Sequence, residues 1–345
     1  MVAVAIVQTA YIGDVVLATP LLESARKSHP NRRVVAVVRK GCENVLGNNP
    51  FADEILVWDK RGAENGIGGV VRFAGRLRDC GVETALVPHR SFRTGLVVRL
   101  AGVSERIGFR CGGGALFHSV RVPYRYGMHE VERNLMLAAA AGWIAEGLRP
   151  AVFPNDMDRE TVERILAGAS GTPDFALQNP GTPSGFCVFA PGSVWPTKRW
   201  PVESYAGVGR HFSRKGLRIV MSGGNDDREI CARIAGDIPG ALDVSGQLTL
   251  RQSAELYRRS LFVLTGDTAP QHLAAAMGAR VFSLFGPTVR EFGFWPYTEK
   301  GTVIEENVEC RPCGVHGHHN CPNRTHLCMR RITGNTVVQT IEERL

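Results

Sequence analysis

Apolar runs of strand length alternate with amphipathic stretches of helical spacing along nearly the whole chain, and the alternation runs twice. In the first pass "VAVAIVQT", "RRVVAVVRK", "ADEILVW" and "VETALVPH" read as strands. "DVVLATPLLESARKSHP" and "GGVVRFAGRLRDCG" read as helices, with others at about 130–148 and 158–168. The second pass offers "FCVFAPG", "LRIVMSGG", "LFVLTGD" and "RVFSLFGPT" as strands. Its helices are "VESYAGVGRHFSRKG", "DDREICARIAGDI", "LTLRQSAELYRRS", "APQHLAAAMG" and the closing "NTVVQTIEERL". This order predicts parallel sheets covered on both faces, because a parallel crossover needs a helix whose apolar stripe must lie on the sheet. Between the passes, Gly168–Gly185 is rich in Gly, Pro and Ser and reads as a linker. The expectation is an α/β chain of two Rossmann-like domains facing each other across a cleft: residues 1–168, a linker over 169–185, and residues 186–345. Ligands of such open sheets sit beyond the carboxyl ends of the strands, so the turns there are where chemistry is expected.

Composition narrows the class. With 345 residues, 44% hydrophobic and 21% charged, the chain can bury two ordinary cores and is not a disordered one. No apolar run is long enough to span a bilayer. The opening "MVAVAIVQTA" lacks a basic start and a cleavage site, so the expected location is the cytoplasm. The net charge of +8 points to an anionic partner: a nucleic acid, a nucleotide or a phosphate-bearing membrane face. Nucleic acid is set aside, since its signal is net charge alone, without basic and aromatic residues interleaved on strands.

The strand ends carry the candidate residues. In "LTGDTAPQHLAAAMG", Asp267 or Thr268 can cap the next helix and Pro270 suits its first turn. The free N–H groups there, with the helix dipole, make an anion site to which Thr268 and His272 can donate. Capping alone accounts for Asp267 and Pro270, but not for His272 ahead of an Ala-rich face. In "IVMSGGNDDRE", Gly223 and Gly224 permit close backbone approach by a ligand, though Asp226 or Asp227 can be a simple cap and the spacing is not a dinucleotide fingerprint. "SLFGPT" places Gly286 and Thr288 at a third junction. "GSVWPTKRWP" follows a strand of the same domain, so Lys198 and Arg199 overlook the same edge. Two cations facing a helix N-terminus make a diphosphate clamp. A Lys–Arg pair is ordinarily a solvated loop, but the Trp and Pro residues around this one imply rigidity, which a floating charge does not need.

In the first domain, "QTAYIGDVVLATP" ends a strand. Gly13 allows a tight turn and Asp14 opens the helix, either as a cap or as a candidate general base. From Lys60 to Met128 there are about twelve Lys and Arg against about four acids. "PHRSFRTGLVVRLAG" places His89, Arg90 and Arg93 at a strand end, and Arg side chains suit bidentate phosphate or carboxylate partners. Of nine Cys, five are scattered and expected in the core. The other four, Cys310, Cys313, Cys321 and Cys328, crowd near the C-terminus with His residues among them. They are either a structural metal site or a reduced thiol cluster. The second pair is spaced wider than a zinc knuckle, and no metal is assigned.

These stretches together resemble the ADP-heptose:lipopolysaccharide heptosyltransferases, glycosyltransferase family 9. The likeness runs over essentially the whole chain through "IGDVVLATPLL", "RSFRTGLVVRLAGVSERIGF", "HEVERNLML", "APGSVWPTKRWP", "GDTAPQHLAAAMG", "LFGPT" and the Cys-containing tail ending in "CM". The resemblance implies the GT-B fold, a C-terminal domain that binds ADP-heptose and an N-terminal domain that binds the phosphorylated Kdo-lipid A inner core. It implies Asp14 as general base, Lys198 as a phosphate contact, and Asp267, Thr268, Ala269 and His272 as the donor diphosphate motif. Where family members often have Gly, this chain has Ala269, so the turn must be regular. The implied reaction is inverting and needs neither a divalent metal nor a cofactor. The basic first domain suits peripheral attachment to the anionic cytoplasmic face of the inner membrane, and a monomer is expected because nothing in the sequence suggests an obligate assembly. The tail favours transfer of heptose II onto heptose I. The alternatives are the first or a later heptose, another sugar, a sugar-nucleotide epimerase on the same fold, or a non-catalytic nucleotide-binding module.

Overall fold

A computed structural model describes residues 2–168 and 185–345. The linker expected over 169–185 thus lies outside the described residues except for Gly185, which begins a strand. The chain divides into two compact units, Met1–Phe153 and Pro154–Leu345.

The first unit holds a six-stranded parallel sheet made of β1 (Ala3–Gln8), β2 (Arg33–Arg39), β3 (Glu54–Trp58), β4 (Val82–Val87), β5 (Glu105–Phe109) and β6 (Val120–Val122). Their order is β3-β2-β1-β4-β5-β6. β1 is buried at every position, as its unbroken run of apolar residues requires of a central parallel strand. One face of the sheet packs against the helix Gly66–Asp79, where Phe73 stacks on Trp58 at 5.0 Å.

The second unit repeats the plan with β7 (Gly185–Ala190), β8 (Leu217–Met221), β9 (Leu242–Asp243), β10 (Val263–Gly266), β11 (Val281–Phe285) and β12 (Gly301–Glu305), in the order β12-β11-β10-β7-β8-β9. All its pairings are parallel. Phe189, Phe212, Phe262 and Phe282 meet edge-to-face or tilted in its core. In each unit the chain winds outward from a central strand, returns, and winds the other way. That makes a topological switch point between β1 and β4, and another between β7 and β10, where open sheets of this kind bind ligands.

Two sequence boundaries move. The helix expected over about 130–148 stops at Ala140, because Gly142 takes a positive φ of 72° and turns the chain out of it. The helix Asp156–Gly168, placed with the first domain by sequence order, belongs to the second unit. It packs there against the helix Leu250–Arg259, where Arg251 pairs with Asp158 at 2.9 Å. Four of the five scattered cysteines are buried, and Cys111 is half-buried. Among the described residues no helix is long and apolar enough to cross a membrane.

Burial keeps three imidazoles neutral. It pushes His89 down to about 3 and His118 and His272 down to about 4; nearby cations add to the effect at His89 and His118, whereas at His272 the Asp267 charge opposes it and is outweighed. The unfolded chain binds these protons near pH 6.5, whereas the folded chain refuses them until far lower. Their contribution to stability is full above pH 6.5 and is lost as pH falls toward 4, at up to about 1.4 kcal/mol per pH unit for each proton. Urea unfolding at pH 7 and pH 5 checks this: equal stabilities would mean that the rings protonate in place.

Candidate active site

The second unit builds its site at the β7/β10 switch point. β7 leaves the sheet into a short turn, Pro196–Lys198, which Trp200 pins by burying its ring and donating from Nε1 to Ile332 O at 2.9 Å. The turn comes down on Gly266 at the end of β10, where a Cβ would lie 3.1 Å from Lys198 O. The sequence presents Lys198 and Arg199 as two cations overlooking an edge. The structure ties both down. Lys198 is 9% exposed, and its Nζ donates to Asp267 Oδ2 at 2.6 Å and to Asp267 O at 3.1 Å. Arg199 is half-buried and gives Nε and Nη2 to Ser193 O at 3.0 and 2.7 Å.

Asp267 is therefore not the helix cap. Its Oδ2 also accepts from Thr288 Oγ1 at 2.7 Å, and its Oδ1 from Gln271 Nε2 at 2.9 Å. Burial pushes the Asp267 carboxyl up, but the charge and hydrogen bond of Lys198 and the hydroxyl of Thr288 outweigh it and hold the group below its ordinary value. Thr268 occupies the N-cap of the helix Ala269–Ala276 without a side-chain capping bond. Ala269 is not among the positive-φ residues, as the regular turn requires. His272 is 5% exposed and neutral, so it can act as a hydrogen-bonding group but not as a cation.

An ammonium has three N–H donors. Asp267 takes two of those on Lys198, and one is left beside the start of a helix where Thr268 N–H is bonded to Gly266 O, Gln271 N–H to Thr268 O, Pro270 has no N–H, and Ala269 N–H remains to be offered. An anion placed there meets a fixed cation and a helix dipole together.

The other strand ends of this unit are packed otherwise than the sequence implies. Gly192 and Gly223 make room for Asp227, whose side chain would lie 2.2 and 2.6 Å from a Cβ at those positions. Gly224 donates its N–H to Asp227 Oδ2 at 2.9 Å and is exposed. Gly286 makes room for Met329, which would lie 2.7 Å from its Cβ. Thr288 joins the Asp267 network.

In the first unit, Asp14 lies in the first turn of the helix Ile12–Ser28, right after β1, and its Oδ2 accepts from Tyr11 N at 3.0 Å. Gly13 sits inside that turn rather than forming a tight bend before it. Across the switch point, His89 Nδ1, Thr9 Oγ1 and Thr94 Oγ1 form a triangle with sides of 2.9 Å. His89 is neutral, so the charge at this edge comes from its neighbours. The Arg90 guanidinium lies 4.2 Å over the Tyr124 ring and that of Arg93 5.4 Å over Trp58. Lys60 and Arg39 join them, and neither was singled out from the sequence. Lys60 Nζ donates to Thr9 O, and burial with Arg39, Arg61 and Arg93 lowers it to about 8. Arg39 lies 4.8 Å over Tyr11. Among the described residues none of Arg39, Lys60, Arg90 and Arg93 forms a salt bridge, although the Glu130 charge acts on Arg90, so this edge is rich in positive charge. The signal that could have found Lys60 is its place just past β3, in "VWDKR".

The four clustered cysteines are free thiols, and among the described residues no group of three or more His, Cys, Asp or Glu side chains is arranged to hold a metal ion. Their segment packs instead on the Lys198 turn. His318 N donates to Thr197 Oγ1 at 2.8 Å, and His326 Nε2 lies 2.7 Å from Thr197 O.

A family profile described as Glycosyltransferase family 9 (heptosyltransferase) matches residues 70–322. The chain is 26% identical over 322 residues to lipopolysaccharide heptosyltransferase 1 of Pseudomonas aeruginosa, covering 90% of this chain and 85% of that one. It is 24% identical over 310 residues to lipopolysaccharide heptosyltransferase 2 of Salmonella typhimurium, covering 87% and 86%. The solved structure of the E. coli ADP-heptose lps heptosyltransferase II matches with a TM-score of 0.77 and 21% identity, covering 100% of this chain and 98% of that one. The fold is that of GT-B heptosyltransferases.

Proposed function

Since this chain belongs to glycosyltransferase family 9, the heptosyltransferases, we propose that it moves L-glycero-D-manno-heptose from ADP-heptose to the phosphorylated inner core of lipopolysaccharide, adding heptose II to heptose I. That it is a glycosyltransferase follows from the family; the sugar, the acceptor and the position are our reading. The observation that carries it is the Lys198 ammonium, fixed at the second switch point with one donor to spare beside a helix N-terminus.

The chemistry runs from these residues. An acceptor hydroxyl is a poor nucleophile, and Asp14 takes its proton as it attacks the anomeric carbon. The bond to ADP breaks in the same displacement, which inverts that carbon. Negative charge grows on the departing diphosphate. Lys198, the Ala269 N–H and the dipole of the helix Ala269–Ala276 stabilise it without having to reorganise, because Asp267, Thr288 and Gly266 already hold the turn. Arg39, Lys60, Arg90 and Arg93 suit an acceptor rich in phosphate and carboxylate, and such a basic edge also suits peripheral contact with an anionic inner-membrane face.

The second-heptose position rests on the cysteine tail, since relatives of both the first and second kind match. Transfer from ADP-heptose, with EDTA present, to bare Kdo-lipid A and to the same acceptor carrying one heptose tests it. We expect product only from the second acceptor. Product from the first would make the chain the first heptosyltransferase, and product from neither would remove ADP-heptose as donor.

A further inference from the structure

We propose that the cysteine-bearing segment Cys310–Cys328 is a strap that positions the diphosphate-binding groups, with Thr197 as the positioning residue through which it sets Lys198. The inference rests on the reading that this unit binds a nucleoside-diphosphate donor, and deepens it.

Thr197 is 5% exposed and is bonded to the strap on every polar atom it has. Its Oγ1 accepts from His318 N at 2.8 Å and donates to His318 O at 2.9 Å, and its N–H donates to the same carbonyl at 3.3 Å. Its own carbonyl takes His326 Nε2 at 2.7 Å. One hydroxyl bonded to both the N–H and the C=O of a single residue fixes the register of the two segments as well as their distance. The strap comes close enough to do this because Gly317, at φ +90°, has no side chain: a Cβ there would lie 3.1 Å from Thr197 Oγ1 and 3.3 Å from Lys198 Cγ.

The cysteines shape the strap. Cys321 Sγ accepts the N–H of His326 at 3.4 Å, and His326 itself takes the left-handed φ of 53° that precedes the short helix Leu327–Arg330. Cys313 Sγ closes on Cys310 O at 3.3 Å. The other foot of the strap stands on the loop that carries Thr288: Cys313 N donates to Pro287 O at 3.0 Å and Arg311 Nη2 to Thr288 O at 2.6 Å. Lys198 and Thr288 both donate to Asp267 Oδ2. One segment therefore holds both loops whose side chains meet on the same carboxylate oxygen. A turn that only needed stability could be satisfied by apolar packing. Here the bonds converge on the residue immediately before the ammonium.

Thr197→Val removes the hydroxyl at nearly constant volume, and Thr197→Ser keeps it. We expect an amine-acylating reagent, read by mass spectrometry, to label Lys198 at least fivefold faster in Thr197→Val than in the wild type. We expect Thr197→Ser to restore slow labelling. In transfer assays Thr197→Val should raise the KM for the donor about tenfold and leave that for the acceptor unchanged. Labelling of Lys198 at the wild-type rate in a folded Thr197→Val protein would overturn the proposal. So would faster labelling that Thr197→Ser does not reverse. If Thr197→Val fails to fold, His326→Ala, which removes a half-exposed partner, decides on the same labelling criterion. Faster labelling in a chain whose wild type binds no ADP would leave the strap standing and remove the donor reading.

Discussion

Asp14→Asn is expected to lower transfer by about 10²–10⁴-fold, the range a general base contributes, while ADP binding and the melting temperature stay near wild type. Asn is the informative replacement because its carbonyl can still accept from Tyr11 N, so the first turn of Ile12–Ser28 keeps its bond. Asp14→Ala would lose the cap as well and mix a folding effect into the rate. Glu130, a nearby acidic group, is 5% exposed and lies beneath Tyr124 and Arg133, at 3.0 and 2.8 Å, so its burial keeps an acceptor hydroxyl from reaching it. Single-turnover transfer with saturating donor is the measurement. Turnover within a few-fold of wild type would take the base role away from Asp14.

Lys198→Ala is expected to do two separable things. It strands Asp267, 8% exposed, without its cation, which should cost about 3 kcal/mol of stability. In a unit of this size that is a fall of roughly 6–12 °C in melting temperature. It also removes a charged donor to the diphosphate, which should weaken ADP binding by about 1.5–3 kcal/mol. Adding Asp267→Asn removes the stranded charge, so the double variant should regain much of the melting temperature and none of the ADP affinity. Calorimetry on the single and double variants reads both. If ADP affinity returns with stability, Lys198 acts only through folding. If the single variant melts like wild type, the pair is not the buried bridge described here.

The strap and the pair explain why this turn is built of Trp, Pro and Thr. Trp200 anchors it in the core, Gly266 lets it settle on β10, and Thr197 joins it to a segment about 120 residues further on. Lys198 can be buried only because Asp267 is there to meet it.

Much of this was written in local pattern. Continuous apolar runs such as "VAVAIVQ" must be buried parallel strands, and amphipathic runs between them must cover the sheet, so the two-unit α/β plan was legible. So was the run Thr268–His272 as the start of a helix after a strand. Short edge strands were not: β6 has three residues and β9 two, too few for a period to show. The helix Phe92–Leu100 was missed too. Its Gly95 is there for close packing on Gly114, which no local preference encodes.

The sequence by itself determined the long central strands, most of the helices between them and the turns where chemistry could sit, because these follow from periodicity and from the conformations that Gly, Pro and capping residues permit. Only the tertiary structure decided which turns meet. Strand order brings β7 beside β10, and with them Lys198 to Asp267, 69 positions further along the chain. The same packing presses the cysteine segment onto Thr197. Whether a cation is a solvated charge or a fixed electrostatic tool depends on the dielectric around it and on its partner. Both are properties of packing that spacing along the chain does not carry.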